Sequence, residues 1–207
     1  MSGRFITLEG GEGVGKSTQL KALAGALTAR GCIVVQTREP GGSPGAEAIR
    51  NLVMTGTEDR WSARSEALLF AAARADHVER LIRPALERGE WVICDRFIDS
   101  TRAYQGGAGG LPDADIMTLH TVGSGGLMPD RTLLLTLSAE EAAARTTRRD
   151  GGKPDRFGEK NTSYHQKVIH AFESMASSEP ERIRTVSAAG TADEVTERLL
   201  AELLDLI

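Results

Sequence analysis

The run Gly10-Gly11-Glu12-Gly13-Val14-Gly15-Lys16-Ser17 follows directly on the short apolar segment Phe5-Ile6-Thr7-Leu8, and a helix-like stretch with Leu20, Leu23 and Leu27 on one face comes after it. Strand, glycine-rich loop and helix in that order constrain this chain more than any other feature. The loop fits G-x-x-x-x-G-K-[ST]. Its glycines let successive backbone N–H groups turn inward as an anion nest. The helix that opens near Lys16 adds the positive end of its dipole. Gly10, Gly11, Glu12, Gly13, Val14, Gly15, Lys16, Ser17 and Thr18 are therefore expected to hold a nucleoside triphosphate, with Lys16 on the β- and γ-phosphates and the Ser17 hydroxyl on Mg2+. A plain turn before an ordinary helix would explain the glycines, but not a strand and a helix placed on either side of them. The loop by itself leaves open what becomes of the γ-phosphate.

Short apolar runs alternate with helical patterns along the rest of the chain. The strand-like runs are Phe5–Leu8, Cys32–Thr37, Trp91–Cys94, Thr132–Leu137 and Arg184–Ser187. The helix-like segments are Ser17–Arg30, Ala46–Met54, Ala63–Arg88, Ala114–Val122, Ala139–Arg148, Ser163–Ser177 and Asp193–Leu206. This alternation, with near-continuous apolar strands, predicts an α/β three-layer sandwich of the P-loop NTPase type, in which a five-stranded parallel sheet is flanked by helices. No repeat or linker divides the chain, so residues 1–207 are expected to form one domain. Ligands in such folds bind beyond the carboxyl ends of the strands. Gly41-Gly42 and the cluster Gly106 to Gly110 fall there, after strands two and three.

The net charge of −4 offers no basic field for nucleic acid or a membrane surface. The longest apolar stretch, Ala67 to Ala73, is too short to span a bilayer. Met1-Ser2-Gly3-Arg4 leads straight into a strand, so no signal peptide is expected. Cys32 and Cys94 lie in apolar strand-like runs and are expected as buried thiols, which suits the cytoplasm. The four histidines show no ligand spacing, and no zinc site is expected.

A second constellation lies at the ends of strands two and three. Strand three closes on Asp95-Arg96. A carboxylate there is where a phosphate-loop enzyme sets an acid near Mg2+. Strand two runs into Arg38-Glu39-Pro40-Gly41-Gly42, which could be a plain turn. Yet two strand ends each deliver an arginine, and guanidinium forks match phosphate oxygens. Arg38 and Arg96 are therefore expected to clamp a second phosphorylated ligand. On the long helix the apolar seam is read through Leu68, Ala71, Ala75, Val78, Ile82 and Leu86, which leaves Phe70 and Arg74 on its flank. Either Phe70 is core and Arg74 reaches water, or the pair forms a nucleobase pocket.

Arg148-Arg149-Asp150-Gly151-Gly152-Lys153-Pro154-Asp155-Arg156 is basic and glycine-rich. It is either a solvated surface loop or a lid, about residues 148–160, that brings cations over a transferring phosphoryl group. No Ser-His-Asp set or paired acid and base is evident. A nucleoside monophosphate acceptor needs none, because its second phosphate pKa of about 6 leaves the attacking oxygen largely ionised. Positioning and charge stabilisation then suffice. A GTPase switch would need an N-K-x-D guanine reader, and that motif is absent. A deoxynucleoside kinase would need a carboxylate base, and would have no use for the arginine clamp.

The chain resembles the thymidylate kinase family over nearly its whole length. The resemblance is carried by Leu8-Glu9-Gly10 through Ser17-Thr18, Thr37-Arg38-Glu39-Pro40-Gly41-Gly42, Phe70-Ala71-Ala72-Ala73-Arg74, Asp95-Arg96-Phe97 and Ala103-Tyr104-Gln105-Gly106-Gly107, in order and spacing. It implies transfer of a phosphoryl group from ATP to dTMP with Mg2+, a homodimer and a cytoplasmic location, with dTMP and ATP as the partners. It also implies roles for individual residues. Glu12 would lie near the 3′-hydroxyl of dTMP, Arg38 and Arg96 around its phosphate, and Phe70 stacked on thymine. Arg74 would read the base, Thr101 and Gln105 would line its pocket, and Tyr104 would pack near the sugar. Ser17 and Asp95 would lie at the metal, and Pro40 where a cis peptide is common. Lys16, Arg96, Asp95 and a lid arginine would carry catalysis. Some relatives place the catalytic arginine inside the phosphate loop, where this chain has Gly13. The resemblance then points to the bacterial arrangement and to the lid, with Arg149 first and Arg148, Lys153 and Arg156 as further candidates. Asp155-Arg156-Phe157-Gly158-Glu159 is displaced by one residue from the family pattern, and Phe172 stands where relatives have a tyrosine.

Overall fold

In a computed structural model, which describes residues 3–57, 59–150, 156–158 and 160–207, with the backbone alone for 146–150, five strands form one parallel sheet. They are β1 (Arg4–Glu9), β2 (Val34–Arg38), β3 (Trp91–Asp95), β4 (Arg131–Thr136) and β5 (Ile183–Ser187), in the spatial order β2-β3-β1-β4-β5. The central strand β1 is buried from Phe5 to Glu9, as a strand covered by helices on both faces must be. Register is what builds the site. Leu8 pairs with Asp95, and Asp95 pairs with Arg38, so one row across the sheet brings the phosphate loop, the strand-three carboxylate and the strand-two arginine to the same edge. The chain turns toward opposite sides of β1 to reach β3 and β4, which opens the crevice where such sheets take their ligands.

Helix α1 (Lys16–Thr28) begins after Gly15, whose φ of 95° is left-handed. No side chain caps that helix start, so its first N–H groups face the cleft unclaimed by a side-chain cap. Leu20, Leu23, Ala24 and Leu27 of α1 pack against β1, β3 and β4 and against α9 (Ala192–Ala201), whose Thr191–Glu194 capping box fixes its entry. On the other face, Phe5, Val92, Cys94 and Phe97 meet Val78, Ile82, Ala85 and Ile116. Cys32 and Cys94 are buried free thiols, as expected. Among the described residues, no helix is long and apolar enough to cross a membrane.

Two expectations are corrected here. The long helix expected over Ala63–Arg88 is α3 (Ala63–His77), a π-helical stretch Val78–Ile82 and α4 (Arg83–Glu87). Pro84 lacks an N–H and its ring crowds the preceding turn, so the backbone widens ahead of it. The seam holds at Val78, Ile82 and Leu86, which pack in the core, and fails at its start. Leu68 is 57% exposed, whereas Glu66, Ala67, Ala73, Arg74 and His77 are buried, because α3 turns its polar residues toward the cleft rather than toward water. The glycine cluster after β3 begins inside a helix. Ile98–Thr101 (α5) and the π-helical Arg102–Ala108 continue as helix. A Cβ on Gly107 would lie 2.5 Å from the Ala171 methyl of α8 (Thr162–Ser178), so the glycine that lowers helix propensity is also what admits the neighbouring helix. Helices α2 (Pro44–Met54), α6 (Asp113–Ser124) and α7 (Ala139–Asp150) complete the layers.

Candidate active site

A cleft of about 650 Å3 opens at the carboxyl edge of the sheet. Residues 12–18 of the loop line it, as do Arg38, Pro40, Phe70, Arg74, Asp95, Arg96, Thr101, Tyr104 and Gln105. Residues expected from five separate stretches of sequence thus meet in one cavity. Gly10 and Gly11 lie just behind it, and their carbonyls accept hydrogen bonds from Lys16 Nζ at 3.0 and 2.7 Å. Burial, and then the Arg96 guanidinium nearby, push the Lys16 ammonium down to about 8 in the protein alone. Phosphate oxygens between these groups would reverse that shift.

At the loop's far side Ser17 Oγ donates to Asp95 Oδ2 at 2.8 Å. A hydroxyl and a carboxylate this close are hard oxygen donors of the kind Mg2+ takes from a protein when phosphates and water supply the rest of its shell. The pair therefore fits the metal that the sequence places there.

Arg96 is the centre of the second anion site. It follows β3 with φ 70°, a left-handed backbone that a residue with a long side chain seldom adopts. That twist aims the guanidinium back across the loop. Nη1 donates to Gly10 O at 3.2 Å and Ser100 Oγ at 3.0 Å, and Nη2 donates to Glu12 Oε1 at 2.6 Å and the Tyr104 hydroxyl at 3.1 Å. Its central carbon lies 5.0 Å from the Tyr104 ring centroid. Burial pushes the Tyr104 phenol up to about 12, so it stays neutral. Behind Arg96 the fully buried Glu9 accepts from Phe97 N at 2.8 Å and Ser100 N at 3.2 Å, and from Ser100 Oγ at 2.6 Å. Ser100 thus links Glu9 to Arg96. Arg38 is more exposed and is held loosely by Glu47 at 3.3 Å. Arg50 Nη1 donates to Pro40 O at 2.7 Å and also lines the cleft.

A deeper part of the cleft is lined by Phe70, Arg74, Thr101, Gln105 and Phe157. Arg74 does not snorkel to water. It is 2% exposed, with Nε donating to Glu39 Oε2 at 2.8 Å and Nη2 donating to Thr101 Oγ1 at 2.9 Å. Gln105 Nε2 donates to Glu66 Oε2 at 3.1 Å. The ring of Phe70 stands 6.0 Å from that of Phe157. A flat apolar wall, a donor-only guanidinium and an amide make this recess suited to a nucleobase with carbonyl oxygens. The Glu39–Pro40 peptide is cis, as the resemblance implies. Phe172 lies behind the pocket in the core and packs edge-on to Tyr104.

The lid expectation is corrected in one place. Arg156 is buried, and it donates to Thr57 O at 2.9 Å, to Val53 O at 3.1 Å and to Glu66 Oε1. It braces the wall of the deep recess and is not available to a transferring phosphoryl group. Sequence pattern could not separate it from its basic neighbours. The side chains of Arg148 and Arg149, and Lys153 entirely, lie outside the described residues.

Sequence reasoning missed three elements. Arg50 carries no motif. Arg145 on α7 donates to Ala188 O at 3.2 Å and reaches the phosphate loop, where a Cβ on Gly15 would lie 3.7 Å from its Nη1. The strip Ala188, Gly190, Thr191 and Ala192 extends the cleft beyond Ser17. Only Gly190 and Thr191, a glycine before a helix cap, left a readable signal.

A phosphate loop on β1, with a second arginine-lined anion site facing it and a base-sized recess beyond, defines a P-loop nucleoside monophosphate kinase. The family model for thymidylate kinase matches residues 8–199. A thymidylate kinase of Rhizorhabdus wittichii is 61% identical over 207 residues, covering 100% of both chains. One of Nitrobacter winogradskyi is 48% identical over 204 residues, covering 98% of this chain and 89% of the relative. The crystal structure of thymidylate kinase from Ehrlichia chaffeensis superposes with a TM-score of 0.79 at 29% identity, covering 98% of this chain and 100% of that one. This chain belongs to the thymidylate kinase family.

Proposed function

We propose that the cleft carries out its family's reaction, transfer of the γ-phosphoryl group of ATP to dTMP to give dTDP and ADP, with the residues around Arg96 as the acceptor site. One observation carries the reading: Arg96 bonds at once to the loop carbonyl of Gly10 and to Glu12, and so stands between the triphosphate loop and the deep recess. The dTMP phosphate replaces Glu12 as a partner of Arg96, with Arg38 closing from the strand-two side. Its attacking oxygen is already ionised, with a pKa of about 6, so the protein's task is alignment and charge stabilisation. Glu12, released from Arg96, faces the sugar 3′-hydroxyl. Thymine enters the recess against Phe70, with Arg74 and Gln105 at its polar edge and Thr101 beside them. Tyr104 fills the space next to the sugar.

Lys16 and the N–H groups of residues 13–18 hold the triphosphate. Ser17 and Asp95 would hold Mg2+, which would offset charge on the phosphate oxygens. The donor nucleoside runs past Arg145 toward Ala188–Ala192. Arg149 is the lid cation proposed to meet the transferring group.

The chain is proposed to work as one domain and as a cytoplasmic homodimer. Leu52, Leu68 and Val122 support the dimer. They are 43%, 57% and 82% exposed, on three helices packed side by side. The test of function is ADP release with dTMP, thymidine, dUMP or no acceptor. Turnover with dTMP and none with thymidine is expected. Turnover with thymidine but not dTMP would refute the acceptor assignment.

A further inference from the structure

Behind the deep recess lies a buried chain of polar groups whose inner members, Thr37 and His77, stand back from the cleft, and whose Glu39, Arg74 and Thr101 reach its lining. Thr37 Oγ1 and His77 Nε2 are 2.7 Å apart, His77 Nδ1 and Glu39 Oε1 are 3.0 Å apart, and Glu39 Oε2 accepts from Arg74 Nε at 2.8 Å. Arg74 Nη2 is held by Thr101 at 2.9 Å. His77 is 0% exposed and Glu39 6% exposed. We propose that His77 is a positioning residue for nucleobase recognition, acting through Glu39 to set the orientation of Arg74 and hence the acceptor's identity at the pyrimidine C4 position.

An ionised carboxylate only accepts hydrogen bonds, so the imidazole Nδ1 must be the donor to Glu39. In a neutral ring Nε2 then accepts from the Thr37 hydroxyl, and the ring has one orientation. Each Glu39 oxygen is thereby given its own partner, and Arg74 donates one bond to the carboxylate rather than two. Nε and Nη2 are occupied, and Nη1 carries no hydrogen bond to the protein among the described residues, while Arg74 lines the cleft. A donor-only nitrogen set there donates to a C4 carbonyl and repels a C4 amine. Without His77, Oε1 is left buried and unpaired. Glu39 is then free to turn both oxygens onto the guanidinium, the arrangement a carboxylate and arginine favour, and to draw it off Thr101.

The strand-two glycine pair fits this role. A Cβ on Gly42 would lie 2.4 Å from both His77 Nε2 and Thr37 Oγ1. Gly42, at φ +87°, is what lets the imidazole and the hydroxyl meet. His77 and Arg74 share a face of α3, three residues apart, so the helix itself sets their spacing.

The inference rests on Arg74 as the base reader, and the test separates the two. Steady-state constants for dTMP, dCMP and ATP are compared in the wild type, His77→Gln, His77→Asn, Thr37→Val and Arg74→Lys. An asparagine amide nitrogen occupies the Nδ1 position and keeps the bond to Glu39, whereas a glutamine amide reaches only toward Thr37. His77→Gln should raise the dTMP KM about tenfold and lower dTMP-over-dCMP selectivity by a similar factor, with the ATP KM and kcat within about twofold. His77→Asn should stay within about threefold of the wild type. Equal behaviour of the two variants, or a kcat loss shared by both acceptors, would overturn the proposal. If neither histidine variant folds, Thr37→Val decides it: a dTMP KM about threefold higher with an unchanged ATP KM supports the proposal, and no change overturns it. Selectivity unaffected by Arg74→Lys would overturn the base-reader assignment. Selectivity lost in Arg74→Lys but retained in His77→Gln would overturn only the role of His77.

Discussion

Glu9→Gln should make the protein more stable at pH 8 relative to the wild type, and less so at pH 5. Burial, followed by the charge of Asp99, raises Glu9 from 4.5 to about 7, against the pull of Arg96 and the bonds from Ser100 and Phe97. The folded state therefore keeps the Glu9 proton over a range in which the unfolded chain has lost it. The sign follows from that: stability contributed by this group is fully present below the unfolded value and falls as pH rises through the folded one. The slope is about 1.4 kcal/mol per pH unit inside the window, which integrates to about 2.5 kcal/mol between pH 5 and pH 8. Glutamine keeps the acceptor for Phe97 N and Ser100 N and does not titrate. Urea unfolding of both proteins at pH 5, 6, 7 and 8 measures the difference directly. The variant's advantage should grow by about 2–3 kcal/mol across the series. A difference that stays constant with pH would refute the reasoning, because it would mean that Glu9 is ionised in the fold throughout.

Lys16 should couple ATP binding to a proton. Phosphates favour its charged form and raise it above its value of about 8 in the protein alone, so ATP affinity should fall as pH rises from about 7.5 to 9.5. Calorimetry in buffers of different ionisation enthalpy should detect proton uptake near pH 8.5, and Lys16→Met should abolish it. Phe70→Ala should raise the dTMP KM about tenfold or more, the loss of one base-stacking contact, and leave the ATP KM unchanged; an equal rise in both would show that Phe70 serves the fold and not the base.

The sheet was legible because its strands are short apolar runs, and their ends carry the residues that matter. Asp95, Arg96 and Arg38 lie one or two steps past such a run, and parallel register then brings them to a common edge. Helix boundaries around glycine were not legible. Gly106 and Gly107 lower local helix propensity, and Arg102–Ala108 is nonetheless helical where it packs against α3, α5, α6 and above all α8, far along the chain. The start of the long helix's apolar seam, at Leu68, was misplaced for a related reason. Periodicity assumes that apolar residues face inward, whereas α3 buries Glu66, Arg74 and His77 to build a pocket wall. Arg156 shows the same limit. Its pattern is that of a surface cation, and its pairing with Glu66 depends on a contact ninety residues away in sequence. The partners of His77 are likewise contributed by β2 and the turn after it, so no local window contains them.

The measurement that tests the account most directly is separate calorimetric titration of dTMP and ATP into Arg96→Ala beside the wild type. Arg96 bonds both to the loop carbonyl of Gly10 and to Glu12, and its proposed ligand is the acceptor phosphate. Charge-assisted guanidinium–phosphate bonds of this kind contribute about 3 kcal/mol, so dTMP affinity should fall about a hundredfold. ATP affinity should stay within about threefold of the wild type, because Lys16 and the loop amides remain. Equal loss of both ligands, or dTMP binding left intact, would contradict the assignment of the second anion site.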